Sequence, residues 1–545
     1  MPITPTYPGV YIEEIPSGVH TITGVATSIT AFIGRAARGP VNVATVINSY
    51  SDYDRIFGGL WGNSTMSYAV RDFYLNGGGQ GVIVRLADGG VTSTITLPQD
   101  TSLPPSPPDS PLSSSYNNLV LQAASVGSWA SNLYALVDFK TKSPLDILLF
   151  NLTVTLMDPT RTQVLATEKY LNLSVNPTDP RYITNVLAQN SNLVIVQEDI
   201  SGNDEVPGVR PAQTYVTILS PPQVTATPVW ATTGDDGNDL NDNDFIGPGT
   251  DTNKTGLYAL ENVDLFNLLC IPPYLNDDSD VSTTLVGNAA AYCEKRRAFY
   301  LVDPPSTWTN KSTAVSQFTD PNTDYVGTKS DHAALFFPRL KEADPLLDNQ
   351  IGVFVPSGAV AGIFARTDAQ RGVWKAPAGQ DASFVGVSQL SVPLTDDENG
   401  ELNPLGVNCL RAFPIIGRVV WGARTLQGAD ELASQWKYIP VRRTALFIEE
   451  SLYRGTKWVV FEPNDEPLWA QIRLNVGSFM HNLFRQGAFQ GTSANSAYFV
   501  KCDSESTTQN DIDLGIVNIV VGFAPLQPAE FVVIQIQQMA GQIQV

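Results

Sequence analysis

Near the start of the chain, apolar and polar residues alternate, with Val10 and Ile12 on one side and Tyr11 and Glu13 on the other, between Pro8 and Pro16. This pattern predicts an extended strand over residues 1–20 with no hairpin partner close by. From residue 22 the period changes. A strand at 30–34, helices at 50–57 and 67–76 and a strand at 81–86 follow the grammar of an α/β unit. Gly89 and Gly90 break that order, and the run from Pro104 to Pro108 with Ser113, Ser114 and Ser115 marks a loop that no core element could hold. Between residues 117 and 230 only short β-like runs occur, at 119–122, 133–139, 152–157, 193–197 and 215–219, as expected of a separate β-rich insertion. The Gly/Asp/Asn stretch 234–252 is expected to close it as a flexible acidic linker.

The α/β grammar resumes at 257, with a buried strand at 265–271, a helix at 285–295 and a strand at 298–303. Segments 333–337, 352–355 and 358–367 continue it. These readings predict a fold that is α/β within an α+β whole: a doubly wound-like α/β domain interrupted by a β-rich insertion, then a C-terminal α+β domain with extended terminal arms. The boundaries are 1–20 for the first arm, 21–90 with 253–420 for the middle domain, and 91–252 for the insertion. The C-terminal domain takes 421–530 and the second arm 531–545.

In the C-terminal part, 441–454 reads as a helix and 458–462 as a strand. Asn464 is placed to cap a helix that carries Pro467 in its first turn and stops at Gly487. Leu468, Ile472, Val476, Phe479 and Leu483 share one face of that helix. Gln471, Asn475, Ser478, Asn482 and Arg485 form a second, polar face about 100° away. It carries a single full charge, which suits a partner surface as well as ordinary exposure. The chain then closes on Phe531, Val533, Gln535, Gln537, Ile543 and Val545, apolar residues alternating with glutamine, without a charged side chain after Glu530. An uncharged extended end templates pairing with any open sheet edge.

Composition narrows the function classes. The chain has 545 residues, 43% hydrophobic and 16% charged, so it is long enough for several cores and sparsely charged for a large soluble surface. Its 33 Lys and Arg against 54 Asp and Glu give a net charge of −21, with no basic stripe for a phosphate backbone, so nucleic acid is not the expected partner. Cys270, Cys293, Cys409 and Cys502 lie far apart and read as free buried thiols of a reducing compartment. The start of the chain lacks a basic and apolar leader, and no apolar run approaches the ~18 residues of a membrane span. The expectation is a cytoplasmic protein without membrane insertion, unless lysis releases the finished object.

Catalytic chemistry is sparse. There are three histidines, His20, His332 and His481. The glycine-rich stretch 76–81 follows a helix and precedes a strand, the reverse of a dinucleotide-binding turn. Asp239, Asn241 and Asn243 alternate as in half a calcium loop, but Asp244 stands where glycine is required and Thr250 where glutamate is required. Asp303 and Asp368 have no second acid or histidine identifiable beside them and read as salt bridges or loop caps. No catalytic, cofactor-binding or metal site is expected, and the chain is read as no enzyme.

Several segments carry a resemblance. Tyr7-Pro8-Gly9-Val10-Tyr11-Ile12-Glu13-Glu14 and Ala31-Phe32-Ile33-Gly34-Arg35-Ala36 resemble the opening of contractile tail sheath proteins of myophages and extracellular injection systems. The stretch from Gly362 to Pro377, the run from Trp458 to Asn464, Gly487-Ala488-Phe489-Gln490-Gly491, Cys502-Asp503 and the run from Ala524 to Phe531 continue it. At Ser128-Trp129-Ala130-Ser131-Asn132-Leu133 the chain departs, since the family usually has Gly-Asn after the tryptophan.

The resemblance implies a sheath of stacked rings, hexameric in expectation, around an inner tube protein. The two arms would add strands to the C-terminal sheets of neighbouring copies. Val10, Tyr11, Ile12, Glu13, Phe531, Val533, Gln535, Gln537, Ile543 and Val545 are the candidate arm residues, and Gln471, Asn475, Ser478, Asn482 and Arg485 the candidate tube face. The insertion would project outward. Baseplate and terminator or cap proteins are the further partners implied, with a paralogous sheath protein left open. A non-contractile tube, shell or baseplate protein is the alternative, and an enzyme on the doubly wound domain a third class.

Overall fold

The computed structural model describes residues 20–102, 116–219, 222–274 and 280–535. Its centre is an eight-stranded sheet built from β1 (Thr30–Gly34), β2 (Thr45–Ile47), β3 (Gly81–Arg85), β4 (Leu268–Cys270), β5 (Phe299–Val302), β6 (Ala333–Phe337), β7 (Asn408–Phe413) and β8 (Gly417–Val420). The order is β2-β3-β1-β4-β5-β6-β7-β8. The six inner strands run parallel, and an antiparallel strand closes each edge. Winding reverses between β1 and β4, the feature that makes a sheet doubly wound. The inner strands β1, β3, β4, β5 and β6 are mostly apolar runs because both faces are buried.

Alternate residues feed two cores. Phe32, Ile83, Leu268, Phe299 and Phe336 pack on one side with helices α1 (Tyr50–Phe57), α2 (Thr65–Leu75) and part of α4 (Ser357–Arg371). Ile33, Val84, Leu269, Tyr300 and Leu335 pack on the other with α3 (Thr283–Lys295). Each N-terminus of α1, α2 and α3 is closed by a serine, Ser49, Ser64 and Ser282, whose hydroxyl accepts an orphan backbone N–H. The segment 76–81 is the turn from α2 to β3, and all four cysteines are free and buried.

Between β3 and β4 the chain builds a further β-rich core. Strands Leu133–Asp138, Leu149–Met157, Val164–Ser174 and Val229–Trp230 form an antiparallel four-stranded sheet, and Thr94–Pro98, Asn118–Ala123 and Val194–Val196 a three-stranded one. They enclose their own cluster around Leu121, Phe150, Leu152 and Leu187. The strand Val164–Ser174 and the helix Ile183–Asn190 carried no clear sequence signal, because most of the strand is an exposed edge with mixed polarity.

The acidic stretch 234–252 is not a flexible linker. Val91 and Asp235 form a bridge, as do Asp88 and Asn238, and Leu240 and Phe245 are buried in the sheet core. Its acids and amides are local acceptors: Asp239 pairs with Arg35 at 3.2 Å, Asp242 accepts from Ser282 at 2.6 Å, and Asn241 and Asp244 form a reciprocal helix cap. Two buried apolar residues and these polar contacts order it together, which composition alone hides.

Helices α2 and α4 approach so closely that only glycine fits on α4. A Cβ at Gly358 would lie 2.1 Å from the Ala69 carbonyl oxygen, and one at Gly362 would lie 2.4 Å from that of Phe73. Gly358→Val is expected to destabilise the protein by about 1–3 kcal/mol through overpacking, read as a lower urea midpoint with unchanged slope.

On another side of α2 lies a group that titrates. Arg71 on α2 donates to Asp72 at 2.9 Å and to Glu342 at 2.7 Å, in the strand Leu340–Asp344. Burial and then the Asp72 charge push the Glu342 carboxyl well above the usual carboxylate range, and burial also raises Asp72. The folded state therefore holds a proton that the unfolded chain releases above about pH 4.3. Stability should fall as pH rises from there until the folded carboxyl itself ionises. Urea midpoints measured across neutral and mildly alkaline pH should show that fall in the native protein, and Glu342→Gln should flatten it.

Candidate functional site

The C-terminal region rests on two helices, α5 (Ile439–Gly455) and α6 (Glu466–Arg485). Each has a proline in its first turn, where the missing N–H costs nothing. The cap of α6 is Asp465, not Asn464. Asn464 instead accepts from the Trp469 indole at 2.9 Å and donates to the Ile516 carbonyl at 2.9 Å, tying the helix start to a later loop. Leu468, Ile472, Val476, Phe479 and Leu483 are all buried, as their spacing predicts. The expected strand at 458–462 is a 3₁₀ turn, Lys457–Val459, followed by Phe461 with φ 73 and its ring wholly exposed. This segment pairs with no strand among the described residues, and the Trp458 ring stacks on His20, centroids 4.1 Å apart.

The chain's first described residues cross these helices. The His20 N–H donates to Asn475 Oδ1 at 3.1 Å, Ile22 packs on Gly455, and the Val25 N–H donates to Ser451 Oγ at 3.2 Å. Thr27 Oγ1 donates to Asp368 at 2.7 Å, and Arg443 grips the same carboxylate at 3.0 and 2.6 Å while also donating to the Thr27 carbonyl at 2.9 Å. The Arg443 and Asp368 side chains are 3% and 4% exposed, so this is a buried pair joining α4, α5 and the entering chain. Asp368 is therefore a structural salt bridge, while Asp303 caps α4 by accepting from the Ser357 N–H and hydroxyl.

This geometry corrects the polar face of α6. Gln471, Ser478, Asn482 and Arg485 are exposed, but Asn475 is 2% exposed and holds the root of the N-terminal segment. A helical wheel cannot see a covering segment more than 450 residues away. Val10, Tyr11, Ile12 and Glu13 lie outside the described residues, as do Gln537, Ile543 and Val545.

At the other end, β9 (Tyr498–Lys501) pairs antiparallel with β10 (Val520–Phe523) as a two-stranded sheet, with no further strand on either edge among the described residues. Residues 524–530 run from β10 back to the edge of the large sheet. There Phe531, Val532, Val533 and Ile534 are 75–82% exposed, and they and Gln535 lie in no strand. A cleft of about 730 Å³ opens beside this segment, walled by Trp374, Lys375, Trp421 and Gln486. Val460, Phe461, Phe499, Leu514 and Val520 add further exposed apolar surface. Among the described residues no group of three or more His, Cys, Asp or Glu side chains could hold a metal, and no helix is long and apolar enough to cross a membrane.

The described residues form a mixed α+β protein with an open two-stranded sheet and an exposed apolar segment beside a cleft. The family description "Phage tail sheath protein central domain" matches residues 247–426, and "Phage tail sheath C-terminal domain" matches 431–539, together more than half of the chain. The chain belongs to the phage tail sheath family, a family of structural proteins. A protein of Pseudomonas aeruginosa (strain UCBPP-PA14), assigned as a prophage major tail sheath protein, is 26% identical over 289 residues, covering 51% of this chain and 67% of that one. The helical sheath of the anti-feeding prophage in its contracted state has a TM-score of 0.55 at 22% identity, over 98% of this chain and 100% of that one. The sheath tail protein of Listeria innocua has a TM-score of 0.57 at 14% identity, over 93% and 97%.

Asp368→Ala leaves the Arg443 guanidinium buried without its carboxylate and is expected to cost about 3–5 kcal/mol in urea denaturation. Thr27→Val removes one hydrogen bond and should cost about 1 kcal/mol.

Proposed function

We propose that this chain is the repeating subunit of a contractile sheath that polymerises around an inner tube by exchanging strands between copies. The observation that carries the reading is the apolar run Phe531–Ile534, exposed and outside any strand in its own subunit, in the same chain as a hairpin with two open edges. Residues 531–545 of one copy and 1–20 of another would complete the β9–β10 sheets of neighbours. Main-chain hydrogen bonds then provide affinity, and the alternating side chains provide register. A contact of this heterologous kind that does not close on itself propagates a helix of stacked rings, taken to be hexameric.

Strand-exchanged arms tolerate rotation of the bodies they join, so they serve as hinges. Contraction is then a switch from an extended, metastable packing to a compact one that buries more surface. The energy is laid down at assembly, without a nucleotide and without catalysis by this chain. Likeness to a sheath in its contracted state supports this reading. Gln471, Ser478, Asn482 and Arg485 on α6 would face the tube, and the β-rich insertion would point outward. Baseplate and terminator or cap proteins would close the ends of the polymer, with assembly in the bacterial cytoplasm.

Removing residues 1–15 should leave a folded subunit that forms no long sheaths when co-expressed with the tube protein. Normal polymer lengths by electron microscopy would refute the role of the first arm. In the same images, rods of two lengths and widths are expected of the intact protein. One fixed geometry would instead identify a passive tube, and monomers alone would reopen the case for an enzyme.

A further inference from the structure

The second arm has a fixed origin, and the structure assigns it to one ion pair: we infer that Arg424 and Glu530 form the anchor from which residues 531 onward leave the subunit. This rests on the strand-exchange reading above and names the residues that aim the exchanged segment. Arg424 follows β8 at the edge of the large sheet, and its side chain is 0% exposed. Its Nε and Nη2 donate to the two Glu530 oxygens at 2.9 and 2.6 Å, a two-pronged grip across 106 positions of sequence. Nη1 is held by the Asn403 carbonyl at 2.9 Å, the Gly428 carbonyl at 3.2 Å and Asp430 at 3.0 Å. The Arg424 N–H donates to Asn408 Oδ1 at 2.7 Å, and Tyr438 adds a hydroxyl to Glu530 at 3.4 Å. The guanidinium is thus immobilised on every side before it meets Glu530.

Placement gives the pair its consequence. Glu530 is half-buried and Phe531, the next residue, is 75% exposed, so the chain passes from held to free within one peptide unit. The tail also crosses from the β9–β10 hairpin to the central sheet before it is released. Through its bonds to Asn403 and Asn408, Arg424 therefore ties the arm's direction to the middle domain, the body that must turn if the lattice contracts. A bidentate grip fixes orientation as well as position, which a single ammonium cannot do.

The test uses the full chain with nitroxide labels at Val532→Cys and Asp397→Cys, both exposed sites, the four native cysteines being buried. Double electron–electron resonance on the isolated subunit should give one narrow distance in the unaltered background. It should lose that peak to a broad distribution in Glu530→Gln and in Arg424→Lys, which keeps the charge but not the fork. Because a buried arginine left short of partners can unfold its surroundings, the double replacement Arg424→Leu with Glu530→Leu serves as a second variant with no stranded charge. It should keep its melting temperature, broaden in the same way, and form only short sheaths with the tube protein. Unchanged distances in these variants, or long sheaths of normal pitch despite broadened distances, would overturn the inference. An unaltered subunit that never polymerises with its tube would instead overturn the strand-exchange reading and with it the aiming role, while the distance measurement would still judge the anchor.

Discussion

An extended backbone presents a hydrogen-bond donor and acceptor at each residue, and a chain that leaves them unpaired beside apolar side chains is incomplete. This constraint governs the segment Phe531–Gln535. Those residues are too apolar to be an ordinary solvated tail and sit in no strand of their own subunit. The β9–β10 hairpin has the complementary deficit, two open edges on a sheet that a third and fourth strand would stabilise. In the strand exchange proposed above, each deficit is the other's remedy, between copies.

The rest of the subunit holds the two exits still. Thr27 enters through the buried Arg443–Asp368 pair, which bonds the incoming chain to α4 and α5 at once. Glu530 is held by Arg424, which follows the edge strand β8 and bonds back to Asn408 of β7. Both anchors are bidentate arginine–carboxylate contacts with little or no exposure of the arginine, where geometry is dictated more strictly than by hydrophobic packing. A sheath that stores energy in its lattice, as proposed, needs stiff bodies and soft connections, and these two pairs would mark the transition between them.

Much of this was legible in the residues. The switch of period from 2 to 3.6 located β1, α1, α2, β3 and α3, because strands buried on both faces and amphipathic helices leave strong patterns. The apolar stripe of α6 from Leu468 to Leu483 was legible for the same reason, and the uncharged end after Glu530 stood out from composition. What failed depended on distant partners. The stretch 234–252 read as a linker because its order comes from Arg35, Ser282 and two buried apolar residues. Asn475 read as a surface residue because the segment covering it arrives from His20. The run 458–462 read as a strand because its side chains suit one, whereas it pairs with no strand among the described residues. Arg424 gave no signal at all, since a lone arginine and a lone glutamate 106 residues apart carry no local pattern.

In the proposed assembly, residues 531–535 become paired strand only when another copy is present. Amide hydrogen exchange over Val532–Gln535, compared between isolated subunits and assembled sheath, tests this directly. Fast exchange in the isolated subunit and strong protection in the polymer, matched by new protection on the outer edges of β9 and β10, is the predicted result. Equal exchange in the two states, or protection already complete in the isolated subunit, would contradict it.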